Sequence, residues 1–398
     1  MISVEEAKKL IIENTSISEN SEEVHCELAA GKILAEDIFS PTDLPPFRQA
    51  AMDGYGIALT KETQSINHKV IAEVRAGDYV ERPVDAQSAV RIFTGARVPD
   101  DVNCLVIQEN VNANNDTITS DKADFLKPMA NIRPQGEQVQ KGALALKKGT
   151  LLTPASVGYL NSMGIEKIKV IKPAKIGILV TGDELQKPGS ALDKAQVYES
   201  NSGMLKSVLH YTLGLKDVSI HFVKDDFNSV KETIDHIFKE SDLLLVTGGI
   251  SAGKYDFVKR ALEELGVNSI FYKIAQKPGK PLYFGKKASK AVFGLPGNPA
   301  AALTCYYQYV YPYLKKHQGH SSYFLPEQNM TLKNSFAKKP GLAMFLKAKA
   351  NGSEVEISQG QASSMLHTFS EANAFVYLPS ETGEVKTGEP VKVNLLNH

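Results

Sequence analysis

The stretch from Asp242 to Pro299 constrains the fold most. An apolar run, Leu243 to Val246, stops at Thr247-Gly248-Gly249. From Asp256 the period changes to that of a helix, with Phe257, Val258, Ala261, Leu262 and Leu265 on one face. Asp256 is expected to cap that helix and Gly266 to end it. The same grammar recurs in "KIGILVTGDEL", a strand ending at Thr181-Gly182, and in "AVFGLPGNPAAALTCYYQYV", a strand, a Gly/Pro turn and a helix. Uninterrupted apolar strands alternating with helices predict a central parallel-sheet α/β domain covered on both faces, whose ligands sit outside the carboxyl ends of the strands. The three loops are therefore expected to share one crevice.

At 398 residues the chain can hold several domains. Its 45 basic and 45 acidic residues cancel, so no net charge draws it to nucleic acid or to an anionic membrane. Cys26, Cys104 and Cys305 lie far apart without metal-ligand spacing and predict reduced structural thiols in a cytoplasmic protein. "MISVEEAKKLIIENT" predicts an amphipathic helix, with a capping pattern from Ser3 to Glu6 and a stripe at Val4, Ala7, Leu10 and Ile11. Acidic residues interrupt it, which argues against a signal peptide. No apolar run approaches the length of a bilayer span, so no membrane partner is expected.

The expected organisation is multidomain α/β plus β: residues 1–40 with 141–172 as an N-terminal linking domain, 41–140 as a β-rich domain, 173–320 as the α/β domain and 321–398 as a C-terminal β-barrel-like domain. The β texture of 41–140 rests on alternating runs such as "HKVIAEV" and "CLVIQEN" between turns. Thr153-Pro154 reads as an N-cap followed by Pro at the first helical position. Within the α/β domain, strands are expected near 176–180, 218–223, 243–246, 270–274 and 292–295, and helices near 204–212 and 229–239. In "AMFLKAKANGSEVEIS", Asn351-Gly352 between two alternating runs is a hairpin signal.

Acids gather at the predicted strand ends: Glu184 after one strand, Asp225 and Asp226 after the next, Asp256 after the third. Lys273, Lys277 and Lys280 are spaced along "KIAQKPGK", where Pro278 and Pro281 keep the backbone extended. Carboxylates beside lysines suit a magnesium-dependent reaction on a phosphate or another oxyanion. The plainer alternative is that Asp225, Asp226 and Asp256 cap helices. Pro296-Gly297-Asn298-Pro299 forms a rigid loop suited to meet an anion at the following helix. Gly248 to Lys254 mimics a P-loop, G-x-x-x-x-G-K, but Tyr255 stands where a magnesium-binding Ser or Thr is required.

Taken in order, "PPFRQAAMDGYG", "RIFTGARVP", "LVTGDEL", "YESNSG", "GGISAGKYDFVK", "KPGKP" and "GLPGNP" resemble the MoeA-type molybdopterin molybdenumtransferases, relatives of the gephyrin E domain. The resemblance spans nearly the whole chain. It implies a homodimer with the active site shared between subunits and a molybdopterin-binding-like α/β domain. The implied reaction inserts molybdate into adenylated molybdopterin, uses Mg2+ and releases AMP, with a molybdopterin-adenylating protein or domain as substrate donor. It further implies Asp256, Glu184, Asp225, Asp53 and Thr94 as catalytic residues, the first three also as metal ligands. Lys273, Lys277, Lys280, Pro296, Gly297, Asn298, Pro299, Gly248, Gly249, Ser251, Ser363 and Lys347 are implied in cofactor binding.

The chain departs from that pattern at several places: Gln138 stands where relatives usually carry Asp, Ala51 where Ser is usual, Lys254 where an acid is usual, and Leu342 where Arg is usual. Lys347 occupies a position usually Arg. Two alternatives stand beside this reading, a catalytically weakened molybdopterin-binding scaffold, motivated by Gln138 and Leu342, and a P-loop-like NTPase, motivated by Gly248 to Lys254. AMP release, binding without release, or pterin-independent ATP hydrolysis separates the three.

Overall fold

Leu243 and Leu245 point into one hydrophobic cluster and Leu244 and Val246 into another, so the strand Leu243–Thr247 is buried on both faces. The computed structural model describes residues 1–121, 124–248 and 257–396. Contacts divide the chain into one unit of Met1–Ser21 with Ile171–His398 and a second of Glu22–Val170.

In the first unit, six strands lie in the order Val218–Val223, Ile176–Thr181, Leu243–Thr247, Lys290–Leu295, Tyr283–Lys287, Asn268–Tyr272. The first four are parallel neighbours. On one face Ile176, Ile178 and Phe293 pack with Leu205 and Leu209 of the helix Asn201–Leu213. On the other, Leu179 and Val292 pack with Val230, Ile234 and Ile237 of Phe227–Glu240 and with Val258 and Leu262 of Phe257–Glu264. Each such aliphatic side chain withdrawn from water contributes about 2 kcal/mol, which explains why these strands read as unbroken apolar runs rather than alternating ones. The helices expected near 204–212 and 229–239 are present, each slightly longer than expected.

The sheet is mixed rather than wholly parallel. Tyr283–Lys287, which the strand–helix alternation does not reveal, runs antiparallel to both neighbours. No helix separates it from Lys290–Leu295, so the chain reverses in a tight hairpin instead of crossing over.

The helix Val4–Glu13 forms as its sequence dictates, the Ser3 hydroxyl accepting the Glu6 N–H at 3.0 Å. Its stripe Val4, Ala7 and Ile11 joins the core of the first unit, where Lys316 Nζ donates to the Ile12 carbonyl and Lys286 Nζ to that of Asn14. Within this unit it meets the helical segment Tyr306–His317, nearly 300 positions away.

A closed five-strand barrel ends this unit: Ala343–Asn351 pairs with Glu354–Ile357 through the Asn351-Gly352 hairpin, then Glu327–Leu332, Pro390–Leu395 and Ala374–Leu378 follow, the last pairing again with Ala343–Asn351. A two-residue strand, Gln276–Lys277, adds in parallel to Ala343–Met344. After Pro299–Cys305 the helix widens into a π turn at Tyr306–Val310 before Tyr311–His317. Pro312 lacks the N–H that an α-helix would aim at Gln308, which accounts for the wider turn.

The second unit holds a six-stranded sheet in the order Cys104–Ile107, Gly54–Ile57, Ser88–Ile92, Ile66–Val74, Thr117–Ser120, Asn112–Asn114, antiparallel except between Ile66–Val74 and Ser88–Ile92. A separate core joins Cys26, Leu34, Val139, Leu152, Leu160 and Val170. Thr153 caps the helix Pro154–Ser162 in a reciprocal bond pair with Ser156. The three cysteines are free and buried, and burial pushes their thiols up. Among the described residues no helix is long and apolar enough to cross a membrane.

Candidate functional site

The carboxyl ends of the parallel strands open into a cleft of about 820 Å³. Every strand-end loop of the sequence reading reaches it: Thr181, Gly182 and Glu184 from the first, Asp225 from the second, Thr247 and Gly248 from the third, and Pro296, Gly297, Asn298 and Pro299 from the last. This is where the strand order reverses direction, between Ile176–Thr181 and Leu243–Thr247, and connections leave to opposite faces. Lys277 and Lys280 line the same cleft, with Ser363 and Leu342 from the barrel region.

Asp225 and Asp226 have different tasks. The Thr181 hydroxyl donates to Asp225 Oδ1, and the Asp225 N–H donates to Asp183 Oδ1 at 3.3 Å, which orients the Asp225 carboxylate at the cleft wall. Asp226 instead caps the helix Phe227–Glu240. It accepts the Ser229 N–H at 2.9 Å and the Ser229 hydroxyl at 2.8 Å, and these bonds hold its carboxyl below the usual range. The plain helix-cap reading therefore applies to Asp226 and not to Asp225.

The Pro296–Pro299 loop is tied from two sides. Asn201 Nδ2 donates to the Gly297 carbonyl at 2.8 Å, and Asn298 Nδ2 donates to Ser363 Oγ at 2.9 Å. Glu199, nearly buried at the cleft edge, accepts the Ser202 N–H at 2.9 Å and the Ser202 hydroxyl at 2.5 Å. Thr181, Glu199, Asn201 and Gln276 also line the cleft, although the sequence reading does not single them out as site residues. The first three lie in its "LVTGDEL" and "YESNSG" motifs, so a position at the end of a strand or at the start of a helix is the signal that marks them.

Two lysines lie off the cleft wall. Lys273 follows the strand Asn268–Tyr272, and its ammonium sits 4.8 Å from the Tyr272 ring centroid. Lys347 is buried and donates to the Gly360 and Met365 carbonyls, both at 2.8 Å, so its charge is directed into the loop that carries Ser363. Gly249, Ser251, Lys254 and Asp256 lie outside the described residues. Among the described residues no cluster of three or more His, Cys, Asp or Glu side chains is placed to hold a metal.

In the second unit the structure joins Asp53 to Thr94. The Thr94 N–H and hydroxyl both donate to Asp53 Oδ1 at 2.7 Å, and they hold that carboxyl below its usual range. Gln138 is exposed, its N–H donating to the Leu44 carbonyl at 2.9 Å.

Three family models match in sequence order: the MoeA N-terminal region (domain I and II) over residues 2–164, the probable molybdopterin binding domain over 177–316, and the MoeA C-terminal region (domain IV) over 329–396. A molybdopterin molybdenumtransferase from Haemophilus influenzae is 36% identical over 406 residues, covering 100% of this chain and 99% of that protein. One from Staphylococcus aureus is 30% identical, covering 99% and 95%. The crystal structure of a molybdopterin biosynthesis MoeA protein from Pyrococcus horikoshii superposes with a TM-score of 0.82 at 29% identity, over 99% of this chain and 100% of that one. With a relative this similar along the full length and a fold that agrees throughout, the chain belongs to the MoeA family of molybdopterin molybdenumtransferases.

Proposed function

We infer that this chain is a molybdopterin molybdenumtransferase of molybdenum cofactor biosynthesis, which inserts molybdate into adenylated molybdopterin and releases AMP with Mg2+. The observation that carries this reading is one cleft that gathers Glu184, Asp225, Lys277, Lys280 and the Pro296–Pro299 loop, within the region matching the probable molybdopterin binding domain.

The donor set fits magnesium, which takes one or two carboxylates and completes its shell with water and substrate phosphate oxygens. Glu184 and Asp225 would hold it, with Asp256 as a third acid. Magnesium bound there would supply positive charge against the phosphoryl oxygens as AMP leaves. Thr181 fixes the Asp225 carboxylate for this task. Lys277 and Lys280 neutralise the phosphate and oxyanion of the substrates as point charges. The paired loops at Gly297, Asn298 and Ser363 shape the wall against which the pterin rests, and Gly248 continues it; Gly249 and Ser251 are assigned to cofactor binding on the resemblance alone. Lys347 supports the Ser363 loop from behind, while Lys273 adds positive potential near the strand end.

In this reading the protein is a cytoplasmic homodimer of four-domain subunits. Asp53 and Thr94 of one subunit complete the cleft of the other, and a molybdopterin-adenylating protein supplies the substrate. Neither a pterin scaffold nor a P-loop NTPase is favoured by relatives named for the transfer reaction. The test is incubation with adenylated molybdopterin, molybdate and magnesium, with AMP as readout. AMP release dependent on all three is the expected result, and tight binding without release would overturn it in favour of the scaffold.

A further inference from the structure

We propose that Gln276, which borders the cleft with its side chain almost wholly buried, and Tyr309 are positioning residues that set the lysine loop, acting through the backbone of that loop. The proposal rests on the functional reading above and extends it to one cleft-lining residue and one residue behind it. Gln276 and Lys277 form a two-residue strand against Ala343 and Met344. Consecutive strand side chains point to opposite sides. Gln276 is accordingly 1% exposed, while Lys277 is exposed toward the cleft.

The buried amide is used at both ends. Gln276 Nε2 donates to the Pro278 carbonyl at 2.9 Å, and Gln276 Oε1 accepts the hydroxyl of Tyr309, which is itself fully buried. Tyr309 lies in the π turn Tyr306–Val310 that follows the helix Pro299–Cys305. Pro278 and Pro281 deprive the loop of two backbone donors, so a side-chain amide from below supplies an anchor that a sheet ladder would otherwise provide. Lys280 is held in the same way by its own carbonyl, which accepts the Ile274 N–H at 3.0 Å and the Leu282 N–H at 3.2 Å.

The relay also joins two walls of the cleft. The helical segment that carries Tyr309 starts at Pro299, the last residue of the Pro296–Pro299 loop. Tyr309 to Gln276 to Pro278 therefore links the wall that meets the substrate with backbone groups to the wall that meets it with ammonium charge. An apolar residue at 276 would leave the Tyr309 hydroxyl and the Pro278 carbonyl without these partners, and in a low-dielectric interior each loss is costly.

The test compares wild type with Tyr309→Phe, Gln276→Leu and Gln276→Glu, all as full chains. Gln276→Glu keeps an acceptor for Tyr309 and loses the donor to Pro278 once ionised; because burial raises its pKa, it is compared at a pH high enough to ionise it. Each variant should bind adenylated molybdopterin about tenfold more weakly, the scale of one lost hydrogen bond, with its rate at saturation within about twofold of wild type. Amide hydrogen exchange at Gly279 and Lys280 should accelerate, while the helix Phe227–Glu240 exchanges as before. Tyr309→Phe decides the matter if Gln276→Leu fails to fold. Unchanged affinity and exchange in Tyr309→Phe and Gln276→Glu would overturn the proposal, as would equal losses in affinity and saturating rate with exchange unchanged. If wild type binds no adenylated molybdopterin, the functional reading fails, and exchange at Gly279 and Lys280 alone judges the relay.

Discussion

Gly248 stands where the strand Leu243–Thr247 opens into the cleft, and its replacement by alanine tests the geometry of the crevice directly. Its φ is +87°, and an added Cβ would lie 2.6 Å from the Thr181 carbonyl oxygen. Carbon and carbonyl oxygen normally meet no closer than about 3.3 Å, so the two strand ends must separate by roughly 0.7 Å. The left-handed backbone costs about 1–2 kcal/mol for any L residue. Spreading the rung at Val180 and Thr247 forfeits about one further hydrogen bond, near 1 kcal/mol. Together the loss is about 2–3 kcal/mol, or a fall in Tm of roughly 5–10 °C for a unit of this size. Gly214→Ala is the control. Gly214 ends the helix Asn201–Leu213 at φ +65°, and a Cβ there meets nothing within 4 Å, so only the backbone cost applies. Thermal unfolding of both variants separates the contributions. If Gly248→Ala melts with Gly214→Ala, contact with Thr181 does not shape the crevice and the argument for a tight strand-end wall fails.

Thr181→Val keeps the shape of the side chain but removes the donor that holds Asp225. The magnesium concentration for half-maximal AMP release should rise several-fold, and superimposable magnesium titrations would rule out the orienting role. Lys277→Ala should weaken binding of adenylated molybdopterin at low salt by about tenfold or more. The gap to wild type should narrow as salt screens the charge, and a salt-independent gap would point to lost packing instead. Lys8 provides a test by pH. Burial pushes its ammonium down from 10.5 to about 8, while Glu327 and Glu5 oppose the shift and Lys392 assists it. Between pH 8 and 10.5 the unfolded chain keeps that proton and the folded one releases it, so stability contributed at this site rises with pH across that window. Lys8→Met should therefore be more stable than wild type at pH 7, with the advantage fading between pH 8 and 10.5. A Tm difference that stays constant across that range would refute the account.

What the sequence determined by itself is whatever nearest neighbours along the chain decide. Unbroken apolar runs marked the inner strands because both faces are covered. Ser3 and Thr153 marked helix starts because a hydroxyl there meets an orphan N–H, and Asn351-Gly352 marked a hairpin because it suits the turn. The shared crevice was legible too, since parallel strands direct their following loops to one edge. Tertiary structure alone decided the rest. Asp225 and Asp226 are adjacent and chemically identical, yet one meets Thr181 from 44 residues away and the other turns back to Ser229. Lys347 carries a charge that local pattern would leave facing solvent or ligand, but carbonyls of a loop more than ten residues on accept it inside the fold. The helix Val4–Glu13 shows its apolar stripe in sequence and conceals which core takes it. Tyr283–Lys287 becomes a strand because Asn268–Tyr272 and Lys290–Leu295 pair with it on its two sides. In each case the deciding partner is distant in sequence, and a local pattern reports period and caps without naming the groups that a side chain will meet.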